Sequence, residues 1–141
     1  MRSFVLVLLL AVGSLAVRGD LLTSYSAIGK VDDKHYEFTV SQGDILRNPI
    51  WTLGADFPPL SARKAQEIAR GKMQELLGSG KEQWVLRETT IIDMGDGMHF
   101  VYAVYFEPPP GRESCTMCDF MCILVLTDGT VPKPILKPLS P

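Results

Sequence analysis

The chain has little of what most recognised chemistries require. Its 141 residues include two histidines (His35 and His99), three cysteines and a single asparagine. That asparagine, Asn48, precedes a proline, so the chain has no N-glycosylation acceptor. No serine stands in a nucleophile-elbow pattern, which leaves a Ser/His/Asp triad without support. No segment has EF-hand spacing, so Asp32-Asp33, Asp93 and Asp96 read as turn formers rather than cation ligands. Charge of one sign is also missing. A net charge of −2 excludes a basic nucleic-acid grip and a polybasic membrane tether. The longest apolar run, Phe4–Val12, is about half of the roughly 20 residues that span a bilayer.

What is present points to one folded domain with an export address. With 46% hydrophobic and 21% charged residues, the chain is too apolar for disorder, and its length suits one domain. Residues 1–19 have the order of a secretory signal peptide: Arg2, then Phe4–Val12, then the small residues Gly13, Ser14 and Ala16. Cleavage after Ala16 or Gly19 satisfies the small-residue rule, and the expected location is secreted or periplasmic. Losing Arg2 and Arg18 lowers the 14 basic residues to 12 against 16 acidic ones, a charge of −4. No membrane association is expected after that cleavage.

The rest of the chain reads as a run of short elements. Residues 20–33 form a loose polar lead, and Tyr36–Val40 alternates as a half-buried strand. Ser41–Asp44 is a turn cluster. Ile45–Trp51, interrupted by Pro49, is an irregular apolar segment. Ser61 caps one clear helix, in which Ala62, Ala65, Ile68, Ala69, Met73, Leu76 and Leu77 form an apolar stripe. Gly78-Ser-Gly80 stops it. Three strands are predicted next, over 84–93, 99–107 and 120–127, with an Asp-Gly reversal at Asp96-Gly97 between the first two. The Pro-rich tail at 133–141 leaves no room for a further element. The expected fold is therefore α+β: one main helix packed across an antiparallel sheet of three to four strands. Trp51, Trp84, Tyr102 and Tyr105 are assigned to the core or a sheet face.

Three features over about 60–132 carry a family resemblance. They are the Ala-rich helix segment Ala65-Gln-Glu-Ile-Ala69, the strand Phe100-Val-Tyr-Ala-Val104, and the closing Leu126-Thr-Asp-Gly-Thr-Val131. This region resembles a PepSY-like domain, a small exported module related in shape to the cystatin-like fold. The resemblance implies a protein-binding or regulatory module without catalysis of its own. The Gln-x-Val-x-Gly loop of cystatin inhibitors is not found, since Gln42-Gly-Asp-Ile does not match it. The connection from Pro108 to Phe120 is longer than that family leads one to expect, and it carries cysteines.

Those cysteines hold the sharpest chemical signal, Cys115-Thr-Met-Cys118-Asp-Phe-Met-Cys122. In an oxidising compartment the default is a Cys115–Cys118 disulfide, with Cys122 a small buried residue in the strand. Two alternatives stay open. Cys115, Cys118 and Cys122, with Met117 and Met121 nearby, form a soft sulfur set for copper or zinc, with His99 as a fourth ligand if it lies beside them. Cys-x-x-Cys is also thiol-exchange spacing, although here it precedes a strand rather than a helix.

No acid–base pair stands at a telling spacing, so the chain is expected not to be an enzyme and no cofactor is implied. The expected partner is a protein, of unspecified identity. If Phe100, Tyr102 and Val104 face the helix, then Val101, Ala103 and Tyr105 face outward. Together with Met121, Ile123 and Val125 they would make an exposed apolar stripe. Val101, Tyr105, Ile123 and Val125 are its candidate contact residues.

Overall fold

A computed structural model describes residues 20–78, 83–109 and 119–138. The expected leader at 1–19, together with Cys115 and Cys118, lies outside the described residues. Eight elements follow in order: β1 (Ser24–Val31), β2 (Lys34–Ser41), α1 (Gln42–Arg47), α2 (Ala62–Leu77), β3 (Val85–Asp93), β4 (Phe100–Glu107), β5 (Phe120–Leu126) and β6 (Ile135–Pro138). The strands form one sheet in the order β3-β4-β5-β1-β2-β6, antiparallel throughout. This corrects the expected architecture. The protein is mostly sheet, six strands with two helices, and not one helix across three or four strands.

Cross-strand partners place their side chains on the same face, so the register sorts the sheet into two sides. On the inner side lie Tyr102, Val104 and Phe106 of β4, opposite Val125, Ile123 and Met121 of β5. Ala27 and Val31 of β1 and Tyr36, Phe38 and Val40 of β2 continue that side, and all of these residues are buried. The helix α2 covers it with Ala65, Ala69 and Met73. Gln66 Nε2 donates to Thr89 Oγ1 at 3.0 Å, and the Arg70 guanidinium sits 5.3 Å from the Phe106 ring centroid. The two alanines are short enough to bring the helix backbone close to the strands. The helix follows its sequence signals: Ser61 Oγ accepts from Lys64 N–H at 3.2 Å, and Gly78 closes it at φ 74°.

Two strands escape the sequence pattern for identifiable reasons. β1 alternates, but its inward residues include Ala27 and Gly29, too small to signal a buried face. At Gly29 any side chain would also displace its neighbour. A Cβ there would stand 2.3 Å from Met121 Sδ, at the seam where β1 joins β5. β6 lies in the Pro-rich tail, and it survives because an edge strand needs ladder bonds on one side only. It pairs with β2 from Lys34↔Pro138 to Glu37↔Ile135.

Both outer edges are blunted. β6 is bracketed by Pro134 and Pro138. In β3 the register shifts between Leu86 and Glu88, and Arg87 at that bulge donates to Glu107 at 2.8 Å. Bulges, charges and prolines at an edge discourage another strand from adding on.

Candidate functional site

The cysteine cluster can be followed only through Cys122, which is free and half-buried on the outer side of β5, opposite Tyr105. Burial pushes its thiol up to about 11, and the Glu88 carboxylate adds to that. A thiol held protonated at neutral pH is a poor nucleophile. His99 does not complete a quartet with it. Tyr105, the β4 partner of Cys122, lies six residues along the strand from His99, which separates them by roughly 20 Å. The cause is the antiparallel register, which brings the His99 end of β4 towards the far end of β5. Among the described residues, no group of three or more His, Cys, Asp or Glu side chains is gathered that could hold a metal ion.

His99 serves a different purpose. It is buried at the end of the Asp93–His99 turn, where Nδ1 and Asp96 Oδ2 are 2.6 Å apart. The other Asp96 oxygen accepts from Met98 N–H and His99 N–H, each at 2.9 Å. Asp93 Oδ1 accepts from Gly95 N–H and Gly97 N–H, and both of these glycines have positive φ. Burial pushes the Asp96 carboxyl up, but the bonds from His99 and the two backbone N–H groups outweigh it and hold the group below the usual aspartate range. A lowered folded-state pKa adds stability above the unfolded value, and that stability is lost as the pH falls through the folded one. Asp44 is lowered in the same sense, by the Ser41 side chain and backbone and then by Arg47 against burial. The thermal midpoint followed by circular dichroism is therefore expected to hold above about pH 5 and to drop below about pH 3.9. Asp96→Asn should lower the midpoint at neutral pH and flatten that acid limb.

The expected contact stripe does not exist as a surface. Val101, Ile123 and Val125 are fully buried, and of the four candidates only Tyr105 is partly accessible, beside Phe120 at 5.9 Å between ring centroids. Ile123 and Val125 pair with Val104 and Tyr102, which puts them under α2 rather than opposite it.

Large apolar side chains are exposed elsewhere, from the last turn of α1 through the loop that leads to α2. Leu46 is 59% exposed, Ile50 64%, Leu53 73% and Phe57 84%. Their backbone is nonetheless firmly seated. A capping box starts α1: Ser41 Oγ accepts from Asp44 N–H while Asp44 Oδ2 accepts from Ser41 N–H. Ile45 is fully buried. Next comes Asn48, itself buried, which joins two strand ends. Its Nδ2 donates to the Phe100 carbonyl at 2.7 Å, and its Oδ1 accepts from Thr127 Oγ1 at 2.9 Å and Asp128 N–H at 3.2 Å. Trp51 N–H donates to the Met98 carbonyl, and the Trp51 ring meets Phe100 edge-on at 5.0 Å. At the far end Tyr102 Oη donates to the Leu60 carbonyl at 2.7 Å. Sequence reading treats this stretch only as irregular and apolar. The usable signal is four large apolar residues in a segment whose prolines keep it out of the sheet.

Beside α1 lies an open cleft of about 380 Å³, lined by Thr39, Asp44, Arg47, Leu126, Asp128 and Lys133 among others. Its carboxylates are committed locally, Asp44 to Ser41 and Arg47, and Asp128 to Thr130. That leaves no free acid–base pair there.

No family model, curated protein or solved structure matches the chain. Among the described residues no helix is long and apolar enough to cross a membrane.

Proposed function

We propose that this chain is an exported, non-enzymatic binding module that grips another protein through the loop between α1 and α2. The observation that carries this reading is the pairing of exposure with order. Leu46, Ile50, Leu53 and Phe57 stand in solvent on a backbone bolted to the sheet through Asn48, Trp51 and Leu60. Exposed apolar groups of this size mark contact sites. Holding them in place beforehand removes ordering entropy from the cost of binding, which is what a structured protein groove rewards. The charges around the loop do not favour a lipid surface. Arg47 is paired with Asp44, Lys64 with Glu67, and Asp56 interrupts the tip between Leu53 and Phe57.

From the PepSY-like resemblance this proposal keeps the functional expectation, a regulator or binder outside the cytoplasm, with residues 1–19 as its export leader. The contact residues move from the sheet to the loop. A photo-crosslinking residue placed at Phe57 in the exported protein is expected to trap discrete adducts. Leu53→Asp, which leaves the fold intact because the side chain is exposed, should abolish them. Equal labelling from Phe57 and from an exposed control away from the loop, such as Glu75, would sink the reading.

A further inference from the structure

The charges at the loop point to what it meets. Asp56 is exposed and has no ion-pair or hydrogen-bond partner among the described residues. Seven positions on, Arg63 is 90% exposed and Lys64 61%, and the two share one carboxylate, Glu67. Lys64 takes the shorter contact at 3.1 Å, while Arg63 stands 3.7 Å off, beyond hydrogen-bond reach. The loop therefore carries an unpaired carboxylate at Asp56 and, beyond residues 57–62, a cation at Arg63 whose own pair with Glu67 is long and exposed.

Resting on the loop as the contact site, we infer that its occupant is a second copy of this chain, related by a two-fold axis. Asp56 of each copy meets Arg63 of the other, around a centre of Leu53 and Phe57. A two-fold contact uses the same surface twice, so the unpaired Asp56 and the weakly paired Arg63 are answered reciprocally. Size sets the strength. An apolar patch on the order of a few hundred Å² falls short of the about 800 Å² per partner in a stable complex. The dimer is thus weak, reversible and concentration-dependent.

Sedimentation equilibrium on the full exported protein tests this without any other partner. The wild type should pass from monomer towards twice that mass as its concentration is raised to about 1 mM. Phe57→Asp should hold it at monomer mass. Asp56→Arg should weaken association about tenfold, and adding Arg63→Asp to it should restore the wild-type value, because the swapped charges again face each other across the axis. All three positions are exposed, and an unchanged urea transition confirms that each variant is folded. A wild type that stays monomeric over the whole range overturns the second copy as occupant, as does a double variant no stronger than Asp56→Arg. Either result leaves the loop as a binding site for another protein, which fails only if the Phe57 crosslinking fails.

Discussion

Phe106→Ala is expected to lower the unfolding free energy by about 3–5 kcal/mol. The ring is fully buried on the inner side of β4, opposite Met121 and close beneath Arg70. Truncation removes the transfer energy of the ring and leaves a void that its neighbours cannot easily fill. They are themselves fixed, Met121 by its tight approach to Gly29 and Arg70 by its bond to the Trp84 carbonyl at 3.1 Å. The Arg70 guanidinium also loses the π-face it rests on, worth about 0.5–1 kcal/mol at a partly exposed site. Domains of this size are stable by roughly 5–15 kcal/mol, so the loss is a large share of the total. A urea titration followed by tryptophan fluorescence checks it. A shift in free energy below about 1 kcal/mol would mean that α2 does not seal this part of the sheet.

Asn48→Ala should be almost as costly, about 2–4 kcal/mol, for a different reason. No large volume is lost. What is lost is the partner of the Phe100 carbonyl, of the buried Thr127 hydroxyl and of Asp128 N–H, three groups from two strand ends. A buried polar group left unpaired costs about 1–3 kcal/mol, and Asp128 recovers some of that from water because it is exposed. The effect should also be local. Amide exchange over residues 46–57 should speed up in the variant while α2 stays protected, since the seat of the loop fails before the core does. Uniform acceleration across the protein would contradict that assignment. Asn48 first attracts notice only as an asparagine that cannot be glycosylated; the structure makes it the pin of the exposed loop.

How much of this was legible beforehand differs from element to element. The helix from Ala62 to Leu77 is readable from end to end, because a hydroxyl cap, a four-residue apolar repeat and a glycine stop agree with one another. Strands β3, β4 and β5 are readable because β-branched and aromatic residues are dense in them. β1 and β6 are not. The inward side of β1 includes Ala27 and Gly29, too small to signal a buried face, and β6 is defined by the neighbour it pairs with rather than by its own composition. Helix α1 had a legible Ser-x-x-Asp box, but six residues carry no periodicity. Missing two strands led to the wrong fold class. The misplaced contact stripe arose otherwise, from an error of one residue in relating β5 to β4. A register slip of one position exchanges the two faces, which is how Ile123 and Val125 came to be assigned to solvent.

The strand order also bears on how the protein is made. β1 and β2 are complete by Ser41, yet β1 finds its second neighbour only in β5, where Gly29 meets Met121. β2 likewise waits for β6, where Glu37 meets Ile135. Each of these pairings closes a span of about ninety to a hundred residues, so the entropy of bringing the ends together falls late and folding is slow. Until β5 emerges, the sheet cannot close around its middle. A nascent polypeptide of this topology keeps the apolar inner side of its early strands uncovered for most of its synthesis.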